Sequence, residues 1–137
     1  MTFSVRVSVR VYEVDPQLHL NNAVYLQYCD HARFAFLTSA GVAVDELLAG
    51  GVGPVNLETT LRYHHELRGG DEVDVSCAFV WGEGKTYRVE QSLTRADGVL
   101  AAEVTHVSGL LDLAKRRLVP DPAARFRAVA ANPAALG

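Results

Sequence analysis

Residues 23–38 constrain the fold more than any other segment, because they combine helical periodicity with an almost entirely apolar circumference. At about 100° per residue, one stripe of such a helix holds Gln27, Asp30, His31, Phe34 and Thr38. The remaining positions are apolar except for Arg33. A helix of this kind must be covered on most of its sides. The sequence therefore predicts a central helix with other structure wrapped around it, not a surface helix.

The other long segments alternate between apolar and polar residues, with the period of two that is typical of strands. Before the helix the alternation covers residues 3–11, and after it strands are expected at 55–63, 73–81, 86–94 and 99–112. The sequences that join the later strands (RGGD at 68–71, GEGK at 82–85 and ADG at 96–98) are typical of hairpin turns. Short helices are expected at residues 45–49 and after Asp121-Pro122, where Asp caps and Pro begins the helix.

Helices do not alternate with strands in this order, which excludes a doubly wound parallel sheet. The fold class that remains is α+β, with a five-stranded curved antiparallel sheet wrapped around one long central helix. The 137 residues, 49% hydrophobic, suit one domain that covers residues 1–137.

Composition and charge exclude several classes of function. The net charge of −3 argues against a nucleic-acid binder, and no window approaches the roughly 18 apolar residues of a membrane span. The first residues have no signal-peptide pattern, so we expect a cytoplasmic protein. Cys29 and Cys77 lie in apolar segments and are predicted to be buried thiols in a reducing compartment. No metal-ligand spacing is present in the sequence, and no cofactor is expected.

Polar residues that could take part in catalysis are concentrated between the first strand and the helix. Asp15, His19, Asn21 and Asn22 lie within eight residues, and Asn22 is the expected N-cap. A helix N-terminus presents unpaired N–H groups and partial positive charge that can hold an oxyanion. A nearby carboxylate could attack a carbonyl or activate a water molecule. The carboxylate and the helix N-terminus together could therefore hydrolyse an acyl group. On spacing alone, an ordinary turn at Asp15-Pro16 with a simple cap is the commoner structure.

The segment Asp15-Pro16-Gln17-Leu18-His19-Leu20-Asn21-Asn22-Ala23-Val24-Tyr25, followed by Ala32-Arg33, resembles the signature of the 4-hydroxybenzoyl-CoA thioesterase-like hotdog family. That signature has Asp, two variable residues, Gly-His, an apolar residue, Asn-Asn and Tyr, with Ala-Arg seven residues later. GGDEVDV at 69–75, GK at 84–85 and RADG at 95–98 match turns of the family, so the resemblance covers roughly residues 3–120.

The resemblance implies a thioesterase that hydrolyses an acyl thioester of coenzyme A or of acyl carrier protein. Asp15 takes the place of the catalytic aspartate, which acts either as nucleophile or as general base. The backbone N–H of Asn22 takes the oxyanion position. His19 and Asn21 line or brace the loop, and Tyr25 packs beside the site.

Two further residues of the motif raise structural questions. Arg33 matches the family but faces the apolar side of the helix, so its guanidinium needs a partner. Asp15 or a loop carbonyl could be the partner of the guanidinium, but a structural ion pair is the favoured interpretation. Leu18 replaces the usual glycine and would be strained if that position requires a positive φ. Either the loop takes another path, or Leu18 points into the acyl pocket and shapes it.

The resemblance also implies a homodimer or homotetramer with active sites between protomers, and no metal or prosthetic group. A hydratase or dehydratase of the same fold is one alternative, although such families use a different Asp/His pattern. An acyl-binding protein without turnover is another, and the intact Asp15 argues against it. Asp30 and Glu58 are the substitute carboxylates if Asp15 has no catalytic role.

Other candidates have simpler explanations. His64-His65 is expected to end a strand with one ring on each side, because neighbouring side chains of a regular strand point to opposite faces. His106 is expected to be a hydrogen-bonded residue of the sheet. Contacts with CoA phosphates are considered for Arg62, Lys85, Arg88 and Lys115-Arg116-Arg117, each of which is more often a solvated charge.

Overall fold

A long helix packed against a curved antiparallel sheet forms the framework of the protein. The computed structural model describes residues 2–137. The helices are α1 (Asn22–Ser39), α2 (Val44–Ala49) and α3 (Pro122–Val129), and the strands are β1 (Ser4–Ser8), β2 (Val52–Tyr63), β3 (Glu72–Ser76), β4 (Ala78–Trp81), β5 (Thr86–Arg95), β6 (Leu100–Asp112) and β7 (Arg117–Leu118). Short 3-10 helices cover Val11–Glu13 and Pro133–Leu136. None of the helices within residues 2–137 has the length and apolarity needed to cross a bilayer.

The sheet has the order β1-β3-β5-β6-β2, and every pair in it is antiparallel. This arrangement confirms the predicted fold class. The strand expected at residues 73–81 is interrupted at Cys77, so β3 pairs with β1 and β5, whereas β4 pairs with β5. The two-residue strand β7 pairs with β6.

Helix α1 extends one residue beyond each end of the predicted segment. Its buried residues contribute to two apolar clusters against the sheet: Val24, Tyr25, Tyr28, Cys29, Ala32, Phe36 and Leu37. The opposite side, which is the stripe predicted from the sequence, is exposed in the single chain. Cys29 and Cys77 are both free and buried, as predicted, and burial raises the pKa of each thiol to about 12.

The first strand is shorter than the alternation at residues 3–11 predicts. Val7 and Val9 are buried, but Val11 is 81% exposed because the chain turns there into a 3-10 helix. Glu13 stabilises this turn, since its carboxylate accepts hydrogen bonds from the Arg10 N–H and the Tyr28 hydroxyl. The strand pattern expected over residues 3–11 is therefore wrong at Val11.

Buried polar groups beneath α1 form a connected hydrogen-bond network. The Gln91 side-chain amide donates to the Cys29 carbonyl, which leaves Gln91 Oε1 as the acceptor for His106 Nε2–H at 2.9 Å. His106 Nδ1 then accepts from the Thr59 hydroxyl at 2.9 Å. Burial lowers the pKa of His106 to about 4, so the ring is neutral at pH 7. The prediction of a hydrogen-bonded sheet histidine is confirmed.

Strand β2 forms one edge of the sheet and is exposed along most of its length. Its inner side chains face α1: Asn56 contacts Arg33, Thr59 contacts the buried His106, and Tyr63 packs on Tyr25. Only the first two residues of the strand are buried. A long edge with unpaired backbone groups and uncovered side chains is suited to pairing with another chain.

Candidate active site

The loop before α1 is a small, tightly bonded turn built around Asp15. The Asp15 N–H donates to the His19 carbonyl at 2.8 Å, and the Leu18 N–H donates to the Asp15 carbonyl at 2.9 Å. One carboxylate oxygen, Oδ1, accepts from the N–H groups of Gln17 at 2.9 Å and His19 at 3.1 Å. Oδ2 has no hydrogen-bond partner within residues 2–137. The turn therefore fixes the carboxylate and leaves one oxygen available.

The start of α1 differs by one residue from the prediction. Asn21 is the N-cap, because its extended backbone precedes the helix and its Oδ1 accepts from Ala23 N–H at 2.9 Å. Asn22, the predicted cap, is the first helical residue. In the part of the chain that the structure describes, Asn22 N–H has no acceptor. An unpaired N–H at the positive end of an 18-residue helix is a suitable donor for an oxyanion.

A segment that follows β2 holds the loop in place. Leu20 N–H donates to the Leu67 carbonyl at 2.7 Å, and a bridge joins His19 to Arg68. The His19 ring lies 2.7 Å from the Glu66 carboxylate, which also pairs with Arg68 at 2.8 Å. The Arg68 hydrogen bond is the main reason that the pKa of Glu66 is lowered, with a smaller contribution from His19. These contacts tie His19 to the segment after β2, and its role at the site stays a prediction.

A cavity of about 260 Å³ opens beside Asp15. From the loop and α1 it is lined by Asp15, His19, Leu20, Asn22 and Tyr25, and from the region after β2 by Tyr63, His64, His65 and Glu66. The structure thus brings four of the predicted site residues to one cavity. Asn21 contributes through the helix cap, without lining the cavity.

The residues that follow β2 were missed as site residues. His64 and His65 were expected on opposite sides of a strand, but β2 ends at Tyr63 and both residues line the cavity. Their N–H groups donate to the same Ala101 carbonyl, at 2.8 and 3.1 Å, so the regular alternation stops there. His64 also pairs with Glu103 at 3.0 Å. The run of polar residues His64-His65-Glu66 directly after an alternating strand was the available signal.

Tyr25 forms an apolar wall of the same cavity. It is almost completely buried, and burial is the main cause of the raised pKa of its hydroxyl group. Its ring meets the Tyr63 ring edge-on, with centroids 5.1 Å apart. This contact ties the first turn of α1 to the end of β2. A substrate-binding role for Tyr25 stays a prediction.

Leu18 has a φ of +65°, so the sequence argument about a strained residue is confirmed. Its side chain is 63% exposed and does not line the Asp15 cavity in the single chain. The loop therefore has a positive φ at this position although the residue is not glycine. Contact between Leu18 and an acyl group stays a prediction.

Arg33 lies away from the Asp15 cavity. It is 11 residues after Asn22 in α1, which at the rise of an α-helix places it about 16 Å further along the helix axis. The guanidinium donates to Asp30 and to Asn56 Oδ1, the latter at 3.2 Å. The predicted structural ion pair is confirmed, with Asp30 as the partner instead of Asp15. Arg33 lines a second, mostly apolar cavity of about 250 Å³.

This second cavity lies between α1, α2, α3 and the first half of β2. Its apolar lining consists of Phe34, Leu37, Val44, Pro54, Val55, Phe79, Tyr87 and Phe126. Three polar residues complete it: Arg33, Asn56 and Ser108. Within residues 2–137 no group of three or more His, Cys, Asp or Glu side chains has an arrangement that suits a metal ion.

A known family matches most of the chain. Residues 9–131 match the family described as the thioesterase-like superfamily. Among curated proteins, an acyl-acyl carrier protein thioesterase of Arabidopsis thaliana chloroplasts, ATL3, is 41% identical over 68 residues, which are 50% of this chain and 36% of that protein. The chain spans less than half the length of the curated relatives it matches, at 36%, 46% and 37%.

Solved structures have the same fold at low sequence identity. A 1,4-dihydroxy-2-naphthoyl-CoA thioesterase from Synechocystis has a TM-score of 0.79 at 16% identity, over 88% of this chain and 89% of that one. A Staphylococcus aureus protein whose structure was determined in complex with CoA has a TM-score of 0.82 at 23% identity, over 93% and 80% of the two chains.

Proposed function

Because the chain belongs to the thioesterase-like superfamily, we propose that it hydrolyses an acyl thioester of coenzyme A or acyl carrier protein. Water is consumed, and the products are a carboxylic acid and a free thiol. One observation carries the proposal: an unpaired Asp15 carboxylate oxygen and the unpaired Asn22 N–H belong to one cavity within residues 2–137. These are the groups that acyl transfer needs, namely a nucleophile or base and an oxyanion donor.

Asp15 serves this reaction in either of two ways. As a nucleophile, Oδ2 attacks the thioester carbon and the thiolate leaves, which gives an anhydride that water then hydrolyses. As a general base, Oδ2 takes a proton from water while the water oxygen attacks the carbonyl. In both routes the carbonyl oxygen becomes an oxyanion, and Asn22 N–H at the start of α1 stabilises it. His19, Asn21 and Tyr25 hold these two groups in place through the contacts described above.

We further propose that the active unit is a homodimer or homotetramer with its sites at the subunit interface. Strand β2 supports this because it is a 12-residue edge strand, with Leu57 53% and Tyr63 52% exposed. Tyr63 also lines the Asp15 cavity, so whatever covers this edge borders the site. A cytoplasmic location is proposed as well, since free buried thiols at Cys29 and Cys77 suit a reducing compartment.

Asp15→Asn tests the proposal directly. The substitution keeps the size of the side chain and its acceptor oxygen, but removes the charge and the basicity. We expect kcat on the best acyl-CoA to fall by about two orders of magnitude or more, with a smaller change in KM. Release of free thiol from a panel of acyl-CoA and acyl carrier protein thioesters measures both parameters.

Asp97→Asn is the matched control, because Asp97 also accepts a backbone N–H in an exposed turn and does not line the cavity. Circular dichroism should show both variants folded. Near wild-type kcat in folded Asp15→Asn protein would make Asp15 a turn residue and shift attention to Asp30 and Glu58. Tight acyl-CoA binding without thiol release by the wild type would instead indicate an acyl-binding protein, and addition of water to an unsaturated acyl group a hydratase.

A further inference from the structure

The loop that carries Asp15 is the tip of a short hairpin with Glu13 at its base. The Asn21 N–H donates to the Glu13 carbonyl at 2.9 Å, and the Asp15 N–H donates across the hairpin at 2.8 Å. These bonds join the first arm of the hairpin (residues 13–15) to its second arm (residues 19–21). Because Glu13 and Asp15 belong to the same arm, a displacement of Glu13 also displaces Asp15.

The two arms are held by different parts of the protein. In the second arm, the Leu20 N–H donates to the Leu67 carbonyl, after β2, at 2.7 Å. In the first arm, the Glu13 carboxylate accepts from the hydroxyl group of Tyr28 in α1 at 2.5 Å. In the part of the chain that the structure describes, Tyr28 is the one hydrogen-bond partner of the first arm that lies outside residues 10–21. The position of the first arm relative to α1 therefore depends on this contact.

The contact between Glu13 and Tyr28 is largely shielded from water. Tyr28 is 4% exposed and belongs to the apolar core, and the Glu13 side chain is 13% exposed. The Glu13 oxygen that Tyr28 contacts also accepts from the Arg10 N–H at 2.9 Å. Burial and the neighbouring carboxylate raise the pKa of the Tyr28 hydroxyl group, which therefore stays protonated and donates. A buried polar pair is costly to separate, so this contact holds one geometry.

Tyr28 gives the hairpin a second point of attachment to α1. The first point is the chain itself, where Asn21 caps the helix and Asn22 begins it. Tyr28 lies six residues after Asn22, which is about 9 Å along the helix axis. Without the bond to Tyr28, the first arm could pivot about the start of the helix and carry Asp15 with it. Two separated attachments prevent such a rotation.

We propose that Glu13 and Tyr28 are positioning residues that set the distance between the Asp15 carboxylate and the oxyanion donor at Asn22. Neither side chain lines the cavity beside Asp15, so both act through the reacting groups and not on the substrate. This inference rests on the proposed hydrolysis and deepens it, because it identifies what aligns those groups. Alignment matters because a displacement of about 1 Å at the reacting atoms can lower a rate about 100-fold.

Tyr28→Phe tests this role through the loss of a single oxygen atom. The ring keeps its packing, but the Glu13 carboxylate loses its bond to α1. We expect kcat on the best acyl-CoA to fall about tenfold or more, with KM changed less than about twofold, because the contacts that bind substrate are kept. Ser76→Ala is the control, since it removes a half-buried hydroxyl group that pairs with Ser92 at 2.8 Å, away from the cavity. It should lower Tm to a similar extent and leave kcat unchanged.

Two substitutions at Glu13 separate the reach of the side chain from its charge. Glu13→Gln keeps an acceptor oxygen at the same distance from the backbone, so it should retain most of the wild-type kcat. Glu13→Asp keeps the charge but is shorter by one methylene group, so it should lower kcat as Tyr28→Phe does. The double variant should be no slower than Glu13→Asp alone, because both changes break the same contact. If Tyr28→Phe does not fold, the comparison of Glu13→Gln with Glu13→Asp decides the question.

Asp15→Asn, measured in two backgrounds, links the effect to the reacting carboxylate. It should lower kcat about 100-fold in the wild type but less in Tyr28→Phe, where the carboxylate is already misplaced. An equal loss in both backgrounds would overturn the positioning role. So would wild-type kcat in folded Tyr28→Phe protein, or a Glu13→Gln protein slower than Glu13→Asp. Full activity of Asp15→Asn in the wild-type background would instead refute the proposed function, and this inference with it.

Discussion

The cap of α1 offers a test that separates the stability of the helix from the chemistry at its N-terminus. Asn21→Ala removes the side-chain oxygen that accepts from Ala23 N–H at 2.9 Å. Loss of such a cap costs about 1 kcal/mol, and a range of roughly 0.5–2 kcal/mol is typical. For a chain of 137 residues, this corresponds to a decrease in Tm of about 3–5 °C.

The same substitution should lower activity, because the oxyanion donor belongs to the next residue. Without the cap, the first turn frays and Asn22 N–H is no longer held in one direction. Complete loss of an oxyanion donor costs about 10²–10³ in kcat, so partial misplacement should cost about tenfold or more. Thermal unfolding followed by circular dichroism gives the Tm, and steady-state thiol release on the best acyl-CoA gives kcat.

Asp121→Ala is the matched control, since Asp121 caps α3 with a bond of 3.3 Å to Ala124 N–H far from the Asp15 cavity. It should reduce Tm similarly without changing kcat. Asn21→Ser should restore both properties, because serine also caps helices well. If Asn21→Ala lowers Tm but leaves kcat at the wild-type value, the start of α1 does not hold the oxyanion and the mechanism proposed for Asn22 is wrong.

The remaining predictions concern the loop, the sheet and the assembly. Leu18→Gly should change the ranking of kcat/KM among acyl lengths and alter stability by no more than about 1 kcal/mol, because relief of the positive φ opposes the greater freedom of glycine in the unfolded chain; an unchanged ranking would separate Leu18 from the acyl group. His106 binds a proton more readily in the unfolded chain, so the free energy of unfolding should fall by up to about 3 kcal/mol as the pH decreases from about 6.5 to 4. Urea unfolding of the wild type and of His106→Gln at pH 7 and 4.5 measures this difference, and equal pH dependence in both would exclude His106 as its cause. Light scattering at micromolar concentration should give at least twice 14.9 kDa, and a monomer that keeps full activity on dilution would contradict the proposed sites at the subunit interface.

Local periodicity predicted α1 to within one residue at each end, because burial on one side of the helix is set by neighbouring positions in the chain. The cap was displaced by one residue for an equally local reason. Asn21 and Asn22 are both good caps, and only the backbone angles decide between them: Asn21 is extended and Asn22 is helical. Residue preferences alone could not separate two adjacent asparagines.

Val11 shows where alternation alone fails. It continues the pattern of Val5, Val7 and Val9, yet it is exposed because Glu13 bonds back to Arg10 and receives the Tyr28 hydroxyl. The contact with Tyr28 joins positions 15 residues apart and depends on how α1 packs. Tertiary contacts of this kind override a strand pattern, and the sequence contains no local signal for them.

Some residues of the candidate site are close together in the sequence, and others come from a distant segment. Asp15, His19, Asn22 and Tyr25 are close in sequence, so the motif alone was enough to group them. The polar run after β2 reaches the same cavity only because the loop bonds to residues 66–68, a contact between segments about 50 residues apart. A motif can therefore identify the reacting groups, whereas the walls around them depend on contacts that only the folded chain brings together.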